Sequence, residues 1–137
     1  MPGETFVYET TVRETQLDAF GHLNHARYLE MYEDARWDFI NRNGYGLEKI
    51  RATGLGPTIL EVKVRYRREL LAGQKITIET RCASYAGKIA RIEQRMLKAG
   101  RVECSTAEIV IGLFDLSRRK LVLPTPEWRR ALGLPAD

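Results

Sequence analysis

The stretch DAFGHLNHARYLEMYEDARWDFINR, residues 18–42, decides how this chain folds. Within it Tyr28, Leu29, Tyr32, Ala35, Phe39 and Ile40 recur at steps of three and four, and Met31 and Trp37 widen the stripe. That is the period of an α-helix with a broad buried face. Asn24 is a good N-cap residue and Asn43-Gly44 a good stop, so the pattern predicts a helix from Asn24 to Arg42. A helix this apolar on several sides has to be enclosed by the rest of the chain.

The flanking sequence supplies strands. Thr5–Arg13 alternates and is rich in Thr, Val, Tyr and Phe, and Gly21 offers a tight turn in the loop that follows. Residues 44–57 are punctuated by glycine and predict irregular chain with one helical turn near Leu47–Ala52. In Thr58–Arg68, Leu60, Val62, Val64 and Tyr66 point one way and Glu61, Lys63, Arg65 and Arg67 the other. Gln74–Tyr85, Lys88–Lys98 and Arg101–Asp115 read as three more strands, joined at Gly87 and at Ala99-Gly100. The last carries Ile109, Ile111 and Leu113 on one face and Val110 and Phe114 on the other, so it should be covered on both sides, by the helix and by another subunit. A short helix is expected over Glu127–Leu132. Short hairpins make the last three strands antiparallel neighbours, and one curved sheet around one helix covers that helix most economically. The expected fold is a single α+β domain spanning residues 1–137.

Composition narrows the function classes. Apolar residues at 44% and charged residues at 29% are those of a globular protein, and no apolar run reaches a membrane span. The start Met-Pro-Gly-Glu-Thr lacks the features of a signal peptide, so a cytoplasmic protein without stable membrane association is expected. Cys82 and Cys104 have no partner spacing for zinc and read as small apolar residues in a reducing compartment. The net charge of +4 comes from scattered basic residues and not from one run, which disfavours a nucleic-acid partner and suits an anionic small molecule or carrier.

Residues 18–28 hold the chemistry. A helix start presents unpaired backbone N–H groups and partial positive charge, and it can hold a developing oxyanion. Asp18, seven residues before His25, supplies a base or a nucleophile, so the pattern points to acyl transfer without a serine or a metal. A metal held by His22 and His25 lacks a third ligand nearby and straddles a turn-to-helix junction. His25 matters first for its backbone N–H, with its ring available to Asp18 or a substrate. His22 shapes the loop or meets the substrate, Asn24 caps the helix, and Tyr28 lines the core or an acyl pocket. Glu33 and Arg36 share a helix face and are expected to pair. Glu61 is a candidate second carboxylate from a neighbouring subunit.

The signature Asp18-x-x-Gly21-His22-x-Asn24-His25-x-x-Tyr28, followed by Tyr32-Glu33-x-Ala35-Arg36, resembles the hotdog-fold thioesterases of the 4-hydroxybenzoyl-CoA thioesterase family. Arg65-Tyr66-Arg67-Arg68, the Gly87-Lys88 hairpin and Phe114-Asp115-Leu116 are weaker echoes, and the likeness runs from about Tyr8 to Leu123. The resemblance implies a hotdog fold, with a curved antiparallel sheet of about five strands around one long central helix. It implies a homodimer joined edge to edge, or a tetramer of two such dimers, with active sites at the subunit interface. It also implies an acyl-CoA thioesterase without metal or redox cofactor. In that picture Asp18 attacks the thioester or activates water, and the His25 N–H polarises its carbonyl. Gly21, His22, Asn24 and Tyr28 line the site, and Arg65, Arg67, Lys88 and Arg91 meet the carrier phosphates, for which the planar arginine fork is well suited. His at position 25 places the chain between branches, so no chain-length preference carries over. Two alternatives stand beside this reading, an acyl-carrier-protein thioesterase and a non-catalytic acyl-CoA-binding module. A binder has no need of a carboxylate at Asp18.

Overall fold

Alternation of apolar and polar side chains builds one sheet in the computed structural model, which describes residues 3–137. The strands are β1 (Phe6–Thr11), β2 (Leu55–Tyr66), β3 (Lys75–Ala86), β4 (Ile89–Lys98), β5 (Val102–Asp115) and β6 (Lys120–Val122). The helices are α1 (His25–Arg42), α2 (Leu47–Thr53) and α3 (Pro126–Ala131). The path across the sheet is β1-β3-β4-β5-β2, all antiparallel, and β6 pairs with β5 beyond the end of β4. Ile76, Ile78 and Cys82 of β3, Ala90, Ile92 and Met96 of β4, and Ala107, Ile109 and Ile111 of β5 are buried on the concave face. Charged residues alternate with them on the outside. Register shifts in β2 at Ile59/Glu61, in β3 at Cys82/Ser84 and between β4 and β5 at Met96/Leu97 bend the ladders, as β-bulges do.

The concave face wraps α1, which buries Tyr28, Met31, Tyr32, Ala35, Phe39 and Ile40. It packs over β1 and β3, with Phe6 stacked on Phe39 at 4.4 Å between ring centroids. The far flank, along β2, is left open. Ile59, Val62 and Tyr66 lie there in register with Ile111, Ile109 and Ser105, all three substantially exposed, and Leu29 of α1 is exposed as well.

Several expectations shift. The helix and the three later strands fall within a residue or two of their predicted bounds. The bulge at Leu60 breaks the predicted phase of β2, so Ile59 and not Leu60 joins Val62, Val64 and Tyr66. β2 starts at Leu55 and accepts Pro57 because an edge strand tolerates a missing N–H. β6 was not foreseen, and three residues are too few for periodicity to register. Phe114 on the outer side of β5 is covered within the chain, by the Arg119 guanidinium 5.0 Å from its ring centroid. Among the described residues no helix is long and apolar enough to cross a membrane.

Candidate active site

Asp18 sits in a loop closed by its own backbone. Its N–H donates to the His22 carbonyl at 2.7 Å, and the Gly21 N–H donates to the Asp18 carbonyl at 3.1 Å. Gly21 has φ +82° with no atom near a would-be Cβ, so the turn needs glycine for its backbone angle and not for space. Asp18 Oδ1 accepts from the N–H groups of Phe20 (2.9 Å) and His22 (3.2 Å). These two bonds fix the carboxylate, and Oδ2 takes no bond among the described residues. Phe20 is pushed to the tip of the loop, 85% exposed.

The helix start is fixed as firmly. Leu23 N donates to Leu70 O (2.8 Å) and Asn24 N to Gln16 O (2.9 Å). Asn24 caps α1 as expected, its side chain accepting from Ala26 N at 2.9 Å and its carbonyl from Arg27 N at 2.9 Å. The Tyr66 hydroxyl donates to the His25 carbonyl at 2.9 Å. His25 is the first helical residue, and its own N–H has no acceptor among the described residues. One backbone donor at the positive end of the helix is therefore left available, and the loop that leads into it carries the clamped Asp18 carboxylate, a helix start of the kind suited to a developing oxyanion.

The side chains nearby divide between support and lining. His22 Nε2 lies 2.9 Å from Glu69 Oε2, which ties the loop to the β2–β3 connection. The His25 ring is exposed and makes no hydrogen bond among the described residues. Tyr28 is buried. Burial first, then the charges of Cys104, Tyr66, Asp18 and Glu69, pushes its hydroxyl up to about 12, so it stays protonated at neutral pH. The expected Glu33–Arg36 pair does not form. Arg36 Nη1 donates to Gln94 Oε1 at 2.8 Å instead, and Gln94 Nε2 is held by Tyr32 O and Thr80 Oγ1. Burial lowers the pKa of Arg36, with the Glu33 charge opposing.

The structure brings Asp18, Gly21, His22, Asn24, His25 and Tyr28 together and separates the expected cations. Arg67 stays at the site end, where the N–H groups of Arg67 and Arg68 both donate to Cys104 O. Arg65 and Arg91 alternate with inward residues and project from the outer face. Lys88 lies in the β3–β4 turn. That is a whole β3 away from the connection that touches the Asp18 loop, about 36 Å at ~3.3 Å per residue. A groove of about 750 Å³ also lies on the outer face, lined by Lys63, Arg65, Glu79, Arg81, Glu93 and Arg95 among others. Many of its charges are paired: Arg81 with Glu93, Arg95 with Glu79, which also meets Arg101 beyond the groove, and Lys63 with Glu108. It holds none of the residues of the Asp18 loop.

Tyr66 and Glu69 escaped sequence reasoning. Tyr66 reads as one more inward residue of an alternating strand, and no local spacing links it to His25, 41 positions earlier. Glu69 sits in a turn that carries no periodic signal. Among the described residues no three His, Cys, Asp or Glu side chains gather as a metal site.

A single antiparallel sheet wrapped around one helix, with a carboxylate loop set against the helix start, defines a hotdog-fold domain. Residues 12–132 match the thioesterase-like superfamily, and the chain belongs to that family. It is 29% identical over 123 residues to the long-chain acyl-CoA thioesterase FadM of Escherichia coli, covering 88% of this chain and 92% of that protein. A Staphylococcus aureus protein solved in complex with CoA superposes with a TM-score of 0.88 at 19% identity, covering 98% of this chain and 89% of the other. The 1,4-dihydroxy-2-naphthoyl-CoA thioesterase of Synechocystis gives 0.85 at 16% identity, covering 94% and 96%. These two structures share the fold.

Proposed function

We propose that this chain is an acyl-CoA thioesterase, converting an acyl-CoA and water to a carboxylic acid and coenzyme A. The observation that carries the reading is a His25 N–H without an acceptor among the described residues, at a helix start entered from the loop that clamps Asp18 Oδ1 and leaves Oδ2 without a bond among those residues. The thioester carbonyl oxygen accepts from the His25 N–H, and Asp18 either takes a proton from the water that attacks the carbonyl carbon or attacks that carbon itself, giving an acyl-aspartyl anhydride that water then hydrolyses to the acid and free Asp18. The carbon–sulfur bond breaks, and the departing thiolate takes a proton to become the CoA thiol. Every role is filled by Asp18, the His25 amide and water, and the reading assigns no step to a metal or redox cofactor. The acyl chain runs along the exposed apolar strip of Leu29, Val62 and Ile59, leaving the nucleotide at the surface.

The same reading makes the protein a homo-oligomer joined through the β2 edge. Three features support it: β2 is an edge strand, Ile59, Leu60 and Val62 are exposed along it, and the acyl strip is open on that flank. Antiparallel pairing of two β2 edges would bring the β3–β4 turn of one subunit to the Asp18 end of the other, which gives Lys88 a route to carrier phosphates. A reducing, cytoplasmic location suits the two buried free cysteines.

The test is release of CoA thiol from a panel of short, long and aromatic acyl-CoAs, with acyl-carrier-protein substrates alongside. Hydrolysis of at least one acyl-CoA, lost in Asp18→Asn, is the expected result. A wild-type protein inert on the whole CoA panel overturns the assignment.

A further inference from the structure

Tyr66 ends β2 in a position that is unusually well determined. Its ring stands edge-on to Tyr28, with centroids 4.9 Å apart and planes at 85°. Its backbone is in register with Ser105, and the next two N–H groups both donate to the Cys104 carbonyl, at 2.9 and 3.1 Å. The hydroxyl held by these contacts donates to the His25 carbonyl at 2.9 Å. In the interior of a helix the N–H of the residue four positions on suffices for a carbonyl, so this is an extra lateral bond to the first helical residue.

The other polar groups around that residue are also committed. Asn24 donates its N–H to Gln16 O, and its carbonyl and side-chain oxygens accept from Arg27 N and Ala26 N. With the peptide before His25 fixed by Asn24 and the peptide after it fixed by Tyr66, both backbone angles of His25 are constrained. The His25 N–H then points in one direction.

We propose that Tyr66 is the positioning residue for the oxyanion donor, acting through the His25 carbonyl from a strand 41 residues further along the chain. The inference rests on the reading of the His25 N–H as the donor to the thioester. Alignment is where a donor of this kind gains its value, because small misplacements at a reacting centre cost large factors in rate. Tyr66 does not touch the reacting atoms in this scheme, so its loss should appear in turnover and not in substrate affinity.

The experiment is Tyr66→Phe in the full chain, which keeps the ring on Tyr28 and removes only the hydroxyl. The residue is 49% exposed, so the fold should tolerate the change. The expected result is a kcat lower by about tenfold, with KM within about twofold and a melting temperature within a few degrees of wild type. In the absence of substrate, the His25 amide resonance of 15N-labelled protein should shift and its solvent exchange should quicken. An unchanged kcat, or a rise in KM with kcat preserved, overturns the proposal. If the wild type hydrolyses no acyl-CoA, the thioesterase reading fails on its own. The amide measurement then decides the positioning: an unmoved His25 resonance in Tyr66→Phe overturns it, and a moved one upholds it.

Discussion

The two ends of α1 meet the same physical demand in different ways. A helix leaves backbone donors unpaired at its start and backbone acceptors unpaired at its finish. At the finish, Asn43 N and Tyr45 N return to Phe39 O and Ile40 O, and the Asn43 side chain donates to Ala131 O at 2.9 Å. A hydrophobic plug closes over them. Tyr45 lies edge-on to Trp128 at 5.1 Å, both almost wholly buried, and Trp128 Nε1 donates to the Tyr85 hydroxyl. At the start, the hydrogen bonds are as numerous, yet His25 is exposed and its N–H is left over. The start is as tightly built as the finish and differs by one deliberate opening. An unpaired donor at a well-fixed helix end is therefore better read as a working group than as fraying.

The comparison breaks most sharply under a pair of substitutions. Asp18→Asn should lower kcat by about 10²–10⁴-fold, the range for loss of a catalytic acid–base or nucleophilic group. It should move the melting temperature by only a few degrees, since the amide oxygen can still accept from Phe20 and His22. Trp128→Ala should do the reverse. Emptying a wholly buried indole site costs about 3–5 kcal/mol, a fall of roughly 10–20 °C in a domain of this size. The protein that remains folded should keep kcat within about twofold. Turnover assays and thermal melts on the two variants check both halves. A Trp128→Ala enzyme that is folded but inactive would mean that the ends are not separable.

A smaller effect sharpens the same contrast. Asn24→Ala and Asn43→Ala each remove one side-chain bond at a helix end, and each should cost about 1 kcal/mol. Only Asn24→Ala should also lower kcat, by a few-fold, because its bond to the Ala26 N–H holds the His25–Ala26 peptide, the neighbour of the one that carries the His25 N–H. Equal kcat in the two variants would show that the cap contributes stability alone.

Most of the fold was legible in the sequence because periodicity is a local property. The three- and four-residue steps from Tyr28 to Ile40, bounded by Asn24 and Asn43-Gly44, give α1 almost to the residue. Strict alternation gives β3 and β4. What periodicity cannot carry is a phase change, and the bulge at Leu60 is one, so the inward set of β2 came out one residue wrong. The candidate site divides along the same line. Asp18, Gly21, Asn24 and His25 lie within eight positions and are readable as a unit. Tyr66 and Glu69 reach that unit only through the folded sheet. The cations are the least legible part, because Arg65, Arg67, Lys88 and Arg91 look alike in sequence, and only strand direction and facing separate Arg65 and Arg91 on the outer face from Lys88 at the far turn and Arg67 at the site end. The Arg36–Gln94 bond is similar, since an i,i+3 partner on the helix was the obvious choice and a strand residue 58 positions away took its place.

The outer face of the sheet offers the smallest effect and a check that neither helix end depends on it. Glu79 accepts from Arg95 at 2.7 Å and from Arg101 at 3.1 Å. Burial raises its carboxyl, and the hydrogen bonds and charges of the two guanidinium groups more than reverse this, so it titrates below its ordinary 4.5. A carboxyl that is held low when folded and is ordinary when unfolded binds more protons in the unfolded chain. Its contribution is present above about pH 4.5 and is lost as the pH falls through the lower folded value. Paired surface charges of this kind contribute about 0.5–1 kcal/mol. Glu79→Gln should therefore lower the melting temperature by a few degrees at pH 7, and the gap to wild type should close as the pH falls below about 4.5. Turnover at pH 7 should not change, because the groove that holds Glu79 contains none of the residues of the Asp18 loop. A gap that stays constant or widens on acidification would remove the pairing as its cause, and a fall in kcat would mean that the sheet couples its outer face to the start of α1.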